Sequence, residues 1–256
     1  MLEWCFGDFS TLQIAILALG AVIIGINKTA IPALGALVVV LFTQFFPADI
    51  GSAAVLPLLC TGDVLAVSWY RREANWKFVI GLLPWAMVGL LLGMVVVRMI
   101  TNIDVLAIMI ALLILGVQAL SLTKGIFQKK IDQLRNTMWM GAFFGILAGF
   151  TTHVANAAGP VMAIYLVLMK FSKAEYIGSA AWYFLLLNWI KLPLFVLDGR
   201  LSWQIIKIVP GVLPFLILGA VIGIVLLKNI SQKSFTTIIQ ILTALGALRL
   251  LWMALS

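Results

Sequence analysis

The sequence predicts an all-α polytopic membrane protein with two inverted repeats, each a broken helical hairpin followed by three transmembrane helices. Hydrophobic residues make up 64% of the 256 residues and charged residues only 10%, a composition that excludes a soluble enzyme. Several apolar runs reach the roughly 20 residues that a helix needs to cross the hydrocarbon core. A pentapeptide of the first half also recurs in the second half, which indicates an internal duplication.

The duplication rests on an ordered series of matching landmarks. The sequence Ile-Gly-Ser-Ala-Ala at residues 50–54 recurs at 177–181, and Trp76 matches Trp203 at the same offset. After a three-residue shift, one proline and three glycines of the first half match those of the second: Pro84, Gly89, Gly93 and Gly116 with Pro214, Gly219, Gly223 and Gly246. Repeats of this kind are common in secondary transporters.

Each half is predicted to contain one hairpin and three spans. The first repeat, residues 1–122, has a hairpin at 11–46 and helices at 50–70, 76–99 and 105–122. A cytoplasmic linker covers residues 123–137. The second repeat, residues 138–256, has a hairpin at 138–169 and helices at 174–197, 203–227 and 235–255.

The first stretch of each repeat is too long for a single crossing. As one continuous helix, residues 11–46 would extend roughly 54 Å, well beyond a hydrocarbon core of about 30 Å. Asn27-Lys28-Thr29 and the following Pro32 interrupt this stretch, and residues 151–160 interrupt its counterpart. We therefore predict two helical arms joined by an irregular tip in each stretch, with both ends on one side of the membrane.

The basic residues predict the orientation. A hairpin plus three crossings is an odd number of passages, so the second repeat should be inverted relative to the first. On this path most lysines and arginines fall on inner loops, as expected for the cytoplasmic loops of a multi-pass membrane protein. If each broken stretch is instead a single crossing, the excess of lysines and arginines on the inner loops becomes smaller but does not disappear. The net charge of +8 is attributed to this bias, so the lipid bilayer is an expected partner and nucleic acid is not.

The two tips form the predicted anion-binding site. Irregular backbone at membrane depth persists only where it is buried in protein or lines a wet cavity. Helix N-termini after each tip would offer N–H donors and partial positive charge to an anion, and Lys28 adds a full charge. The alternatives are that the tip amides and hydroxyls only satisfy freed backbone groups, that Lys28 reaches an interface and that His153 is structural. The tip candidates for substrate binding are Asn27, Lys28, Thr29, Thr151, Thr152, His153 and Asn156.

Two further ionisable residues, Asp63 and Lys191, lie inside predicted spans. Charges in this position usually pair or face a cavity. Lys191 and Asn188, one turn before it, are further candidates for substrate binding. Asp63 and His153 are candidates for proton coupling or charge compensation. A purely structural ion pair, for example Lys28 with Asp63, is the alternative.

No pattern in the sequence predicts catalysis. Cys5 and Cys60 lie at unlike predicted depths, which indicates neither a disulfide nor a metal set. Walker, Rossmann and nucleophile motifs are absent, and no loop can hold a soluble catalytic domain. We therefore expect no enzymatic activity, no catalytic residue, no metal and no cofactor.

Six motifs together resemble one known family. They are Gly25-x-Asn27-Lys28-Thr29-x-Ile31-Pro32, Leu56-Pro57-Leu58-Leu59-x-x-Gly62-Asp63, Trp69-Tyr70-Arg71-Arg72, Gly149-Phe150-Thr151-Thr152, Asn156-Ala157-Ala158-Gly159-Pro160 and Asn188-x-x-Lys191-Leu192-Pro193. Over essentially the whole chain they resemble the TauE/SafE family of sulfite and organosulfonate exporters, also called the toluene sulfonate uptake permease family. Many members have a glycine triplet where this chain has Asn27-Lys28-Thr29, so it resembles a lysine-bearing branch.

The resemblance implies movement of small sulfur oxyanions, such as sulfite, sulfonates or sulfoacetate-like molecules, across a bacterial inner membrane. The resulting hypothesis is a secondary transporter, an exporter, that works by alternating access around a midplane site. An anion channel or a small-carboxylate permease is the alternative within transport, and a membrane anchor or membrane enzyme is the alternative from another class. The expected partner is a small anion, and a homodimer is left open.

Overall fold

The computed structural model describes residues 9–46, 48–99, 137–156, 158–197 and 201–255, together with Cys5, Gly7, Ile108, Leu112, Leu115 and Gly199. Within these residues the regular structure is helical and no strand occurs. The all-α membrane fold is therefore confirmed. The predicted span 105–122 and the linker 123–137 lie almost entirely outside the described residues.

The helices follow the chain in a simple order. They are α1 (Thr11–Thr29), α2 (Gly35–Phe45), α3 (Ala48–Tyr70), α4 (Trp76–Met99), α5 (Met138–Ala155), α6 (Ala158–Leu168), α7 (Lys173–Leu197), α8 (Trp203–Asn229) and α9 (Gln232–Leu255). A short 3-10 turn, Pro32–Leu34, precedes α2.

Four of the described helices are long and apolar enough to cross a membrane. The qualifying segments are Thr11–Thr29, Trp76–Val96, Lys173–Leu197 and Ile205–Asn229. Large apolar side chains such as Leu91, Trp139, Leu218 and Trp252 are exposed, as lipid-facing side chains would be. The chain is accordingly a multi-pass membrane protein.

The first predicted hairpin consists of two antiparallel arms, α1 and α2. Gln13 at the start of α1 donates its side-chain amide to the carbonyl of Phe45 at the end of α2 (3.3 Å). The rings of Phe9 and Phe46 meet edge to face at the same end, with centroids 5.8 Å apart. Ser10 and Gln13 form a capping box that starts α1, and Pro32 begins the 3-10 turn, where its missing N–H leaves no orphaned donor.

The second predicted hairpin, α5 and α6, has the same form. Phe144 near the start of α5 stacks on Tyr165 near the end of α6, with ring centroids 4.6 Å apart. The arms meet at Asn156, whose φ of 52° places it in the left-handed region that asparagine tolerates better than most residues.

Both interruptions are narrower than the sequence predicts. Asn27-Lys28-Thr29 forms the last turn of α1, and residues 151–153 belong to the last turns of α5. Threonine hydroxyls permit this because they bond back to helix carbonyls: Thr29 Oγ1 donates to Gly25 O (2.8 Å), and Thr151 Oγ1 donates to Ala148 O (3.2 Å). These polar residues are therefore helical, and the irregular backbone follows them, at Asn156 in the second hairpin.

The described helices form two compact units, and each unit takes helices from both halves of the chain. The first unit comprises Met1–Ala74 and Ile177–Ile230, and so contains α1, α2, α3, α8 and nearly all of α7. The second comprises Asn75–Tyr176 and Ser231–Ser256, and so contains α4, α5, α6 and α9.

Close helix contacts inside each unit pass through reciprocal glycines. In the first unit, a Cβ on Gly25 would overlap the backbone of α8 at Leu216, and one on Gly219 would overlap the carbonyl of Val22 in α1. In the second unit, a Cβ on Gly89 of α4 would overlap the carbonyl of Ile146 in α5, and one on Gly149 would overlap that of Ala86. Backbones that touch this closely leave no room for side chains at the crossing.

Candidate functional site

The first unit buries three ionisable side chains within its apolar helices. The exposed fraction is 6% for Lys28 near the end of α1, 0% for Asp63 in α3 and 0% for Lys191 in α7. Charged groups are rarely buried unless they are paired or bind a ligand, because leaving water is unfavourable for an ion. Three such groups in one unit therefore mark it as the candidate functional site.

Asp63 connects three helices through its two carboxylate oxygens. Lys28 Nζ lies 2.6 Å from Oδ1, an ion-pair distance. Asn188 Nδ2 donates to Oδ2 at 2.7 Å. The Lys28–Asp63 pair that the sequence left open as an alternative is thus present, and it is reinforced by Asn188 from α7.

Aromatic rings cover the two lysines. The ammonium of Lys28 lies 4.6 Å from the ring centroid of Phe184, and that of Lys191 lies 5.4 Å from that of Phe195. Phe184, Asn188, Lys191 and Phe195 follow one another at spacings of three and four residues, so they share one face of α7. Cations over aromatic faces are favoured when water is excluded, which suits the depth of this cluster.

The side chains of the cluster lie close enough to interact electrostatically. The charge of Lys191 acts on Asp63, and Cys60, one turn before Asp63 on α3, interacts electrostatically with Asp63, Lys28 and Lys191. Gly62 leaves room for the stem of Lys28, since a Cβ there would lie only 3.0 Å from Lys28 Cγ. The cluster thus brings two lysines and one carboxylate together within the described part of the unit.

Asn27 and Thr29, both predicted to bind substrate, contact backbone in this structure. Gly35 N–H at the start of α2 donates to Asn27 Oδ1 (2.7 Å), so Asn27 caps the second arm from the first. Thr29 Oγ1 also lies 3.0 Å from the carbonyl oxygen of Ala220 in α8, to which it can donate. These contacts hold the end of α1, and with it Lys28, in place.

Replacing Asn27 with alanine is expected to lower the free energy of unfolding by about 1–2 kcal/mol, because the half-buried N–H of Gly35 loses its acceptor. Thermal unfolding of the purified protein in detergent would measure this. Asn229→Ala is the matched control, since Asn229 is exposed and donates to Val225 O of its own helix. Equal stability of the two variants would contradict the capping role.

The second unit collects the other predicted tip residues at the end of α5. Thr151, Thr152 and His153 are buried, whereas Asn156 is half-buried and ends the helix. The N–H of Asn156 donates to the carbonyl of Thr152 (3.1 Å). His153 packs against Gly93 of α4, where a Cβ would lie 3.0 Å from that of the histidine.

The structure thus joins Lys28, Asp63, Asn188 and Lys191 in one cluster of the first unit and places Thr151, Thr152, His153 and Asn156 together in the second. Sequence reasoning missed three residues of the cluster: Phe184, Phe195 and Cys60. The available signal was their spacing of three or four residues from Asn188, Lys191 and Asp63.

Within the described part of the chain, no three His, Cys, Asp or Glu side chains come together as metal ligands. Cys5 and Cys60 are buried free thiols.

A comparison with protein-family models identifies the family of the chain. Residues 17–250 match the family model described as sulfite exporter TauE/SafE, and the match includes every candidate residue from Asn27 to Lys191. No curated protein and no solved structure matches the chain. Because the match covers nearly all of both halves, the chain belongs to the sulfite exporter TauE/SafE family.

Proposed function

We propose that this protein is a secondary transporter that exports small sulfur oxyanions across the bacterial inner membrane by alternating access around a midplane site. The proposed substrates are sulfite, sulfonates and sulfoacetate-like molecules. One observation carries the proposal: two lysines, Lys28 and Lys191, are buried in apolar helices together with Asp63.

The two buried lysines support an anionic substrate. Two unit charges 4 Å apart interact by about 4 kcal/mol at an effective dielectric constant near 20, so an anion beside the lysines is strongly favoured. Sulfite and sulfonates carry several oxygens that can accept hydrogen bonds from ammonium and amide groups. The side-chain amide of Asn188, which donates to Asp63, has a second N–H that can donate to an oxyanion.

The carboxylate of Asp63 competes with the substrate for the ammonium group of Lys28. Its Oδ1 occupies the ammonium of Lys28 at 2.6 Å, so an arriving anion has to share that ammonium with Asp63. Competition of this kind keeps the substrate from binding too tightly to be released. The carboxylate also keeps Lys28 paired between transport cycles, since an unpaired buried charge is strongly destabilising.

The polar group at the end of α5 is proposed as a further set of substrate contacts, within its own unit. Thr151, Thr152 and Asn156 offer hydroxyl and amide donors, and His153 can bind a proton. Asp63 and His153 remain the proposed residues for charge compensation or proton coupling.

The membrane potential favours the outward direction. With the inside negative, an exported monoanion gains about 2.3 kcal/mol per 100 mV, so export can proceed without a coupling ion. Uptake of the same anion would need protons or another cation.

Two inverted repeats are proposed as the basis of alternating access. The reciprocal glycine contacts support the repeat, because Gly89 and Gly219 are landmarks that the sequence pairs and both touch a carbonyl of a hairpin arm.

A thermal-shift screen of the purified protein tests the proposal. The ligands are sulfite, isethionate, sulfoacetate, taurine, sulfate and small carboxylates. A sulfur oxyanion is expected to raise the unfolding temperature, since a ligand at 100 times its Kd stabilises the folded state by about 2.7 kcal/mol. Lys191→Gln should lose this shift, and Lys207→Gln, on α8 outside the cluster, should keep it.

Two results would contradict the proposal. A shift with carboxylates but with no sulfur oxyanion would move the protein to a different substrate class. Sulfonate currents in a lipid bilayer far above carrier rates would make it a channel, whereas a transporter should show slow, saturable counterflow in proteoliposomes.

A further inference from the structure

The second unit contains a cavity of about 640 Å³ at the end where α4 and α5 begin. Its walls come from the first turns of α4 and α5, the end of α6 and the start of α7, and its described lining residues all belong to this unit. The volume lies within the roughly 300–1,000 Å³ of typical ligand sites. None of these lining residues belongs to the anion cluster of the first unit or to the polar group at the end of α5, so the cavity is a separate site.

Two tryptophans place this end of the unit at the membrane interface. Trp76 begins α4 and Trp139 lies in the first turn of α5, with exposed fractions of 43% and 78%. Tryptophan is enriched at this depth because its ring is apolar and its N–H is polar. The cavity extends along α4 from Asn75 to Trp85, about 15 Å at 1.5 Å per residue, and so passes from the interface into the hydrocarbon.

The lining of the cavity changes from polar to apolar with depth. Lys77 and Glu175 line its shallow end, in the first turns of α4 and α7. Gly81 and Leu82 line it one turn deeper along α4, and nothing lies within 4 Å of a Cβ built on Gly81, so the wall is open there. A polar end at the interface and an apolar slot in the hydrocarbon match a lipid headgroup joined to an acyl chain.

A tyrosine hydroxyl lies between these two ends. Tyr165 is 4% exposed and lines the cavity. Its hydroxyl lies 3.5 Å from a Cβ built on Gly141, another lining residue, and forms no hydrogen bond within the described part of the chain. Polar groups of buried side chains usually have a partner, because they have lost their hydrogen bonds to water. An ester carbonyl, which joins an acyl chain to glycerol, would supply an acceptor at this depth.

Lys77 and Glu175 are a cation and an anion that line one cavity without pairing. Among the residues that the structure describes, neither forms an ion pair. Asn75 donates its side-chain amide to Glu175 Oε1 (2.9 Å), which holds the carboxylate at the shallow end. A headgroup that carries both a phosphate and an ammonium group complements both side chains, whereas a headgroup with a phosphate alone complements only the lysine.

We infer that this cavity binds one phospholipid with an ethanolamine headgroup. The phosphate would contact Lys77, and the ammonium group would contact Glu175. The hydroxyl of Tyr165 would donate to an ester carbonyl, and one acyl chain would lie along Gly81. Gly81 is exposed, so the lipid can enter directly from the bilayer. Bound in this way, the lipid contacts α4, α6 and the first turn of α7 and stabilises the second unit by mass action.

Native mass spectrometry of the purified protein, titrated with lipids, tests the inference. Phosphatidylethanolamine and phosphatidylglycerol with the same acyl chains share the phosphate and differ in the ammonium group. One phosphatidylethanolamine per chain is expected to bind, roughly 10- to 100-fold more tightly than phosphatidylglycerol, the factor expected of one hydrogen bond to a charged group. Glycerophosphoethanolamine, which has the same headgroup and no acyl chains, should not bind at the same concentrations.

Three variants test the individual contacts. Glu175→Gln should bring the two lipids to nearly equal affinity, since it removes the partner of the ammonium group. Lys77→Gln should weaken both lipids by a similar factor. Tyr165→Phe keeps the ring stacked on Phe144 and should weaken both lipids roughly 3- to 10-fold, as for one neutral hydrogen bond. Tyr183→Phe is the matched control and should change neither affinity, because that hydroxyl is also buried without a partner but lies in the first unit.

Each outcome bears on a different part of the inference. Equal binding of the two lipids by the wild type would overturn the ethanolamine headgroup. Binding that none of the three variants changes would place the lipid elsewhere and overturn the site. Glycerophosphoethanolamine binding as tightly as the lipid would make the ligand a soluble molecule. The wild-type comparisons decide headgroup and chains even if a charge variant does not fold, and Tyr165→Phe, which removes one hydroxyl, still tests the site. The proposed function stands or falls separately, since no measurement here involves a sulfur oxyanion.

Discussion

Replacing Lys28 with methionine is expected to weaken sulfonate binding roughly 10- to 100-fold and to reduce transport correspondingly, because hydrogen bonds to charged groups contribute about 1.5–3 kcal/mol. The same change leaves Asp63, which is completely buried, without its ion-pair partner. Stability should therefore fall by about 3–5 kcal/mol. Both losses would be measured on one preparation, by thermal unfolding and by flux of isethionate in proteoliposomes.

A double variant separates the two losses. Lys28→Met combined with Asp63→Leu removes both charges of the pair, and replacing a buried ion pair with apolar residues of similar volume is often neutral or stabilising. The double variant should therefore recover stability and remain inactive. Lys228→Met is the control, since Lys228 is exposed at the end of α8 and lies over the ring of Trp69.

Recovered transport in the double variant would show that the pair is structural only. If Lys28→Met kept both binding and flux while Lys228→Met also kept them, Lys28 would have no role in the anion site. The pair of measurements is needed because a destabilised transporter and a transporter without its ligand contact lose activity for different reasons.

The ionisable residues of the cluster could be found from the sequence because a charged side chain inside an apolar span is unfavourable. Lysine and aspartate inside apolar spans are unfavourable unless they are paired or bound, so Lys28, Asp63 and Lys191 stood out without any structure. Their partners could not be found in the same way. Asn188 reaches Asp63 across 125 positions of sequence, and such contacts depend on which helices pack together.

The helix breaks show a second limit of sequence reasoning. Polar residues and Pro32 predict an interruption that begins before Thr29 and Thr151, but both threonines are helical because their hydroxyls satisfy carbonyls of the preceding turn. Asn27 then supplies the acceptor at the start of α2. A polar stretch therefore indicates that a break is near, and the local hydrogen bonds determine where it begins.

The compact units show a third limit. The sequence divides naturally at the linker between the halves, whereas each unit combines helices from both. Gly89 and Gly219 were visible only as matched landmarks. Their physical role, which is to let α4 touch α5 and α8 touch α1, depends on helix pairing that hydrophobic composition does not encode.

Replacing Gly89 with valine is expected to be among the most disruptive single changes in the second unit. Its Cβ would overlap the carbonyl oxygen of Ile146, and further backbone atoms of that residue lie less than 3 Å away. Backbone cannot rotate aside as a flexible side chain can, so α5 would have to move away from α4. Overpacking of this kind typically lowers stability by about 1–3 kcal/mol, and the loss should be at the upper end or beyond it here.

Gly81→Val on the same helix is the matched control, because nothing lies within 4 Å of a Cβ built there. The two variants change the same residue type in α4, so their intrinsic effect on the helix is the same and only the contact with α5 differs. Thermal unfolding in detergent should show a marked drop for Gly89→Val and little change for Gly81→Val. Equal unfolding temperatures would mean that α4 and α5 do not touch at Gly89, and the reciprocal contact at Gly149 would then be in doubt as well, because both depend on the same crossing of the two helices.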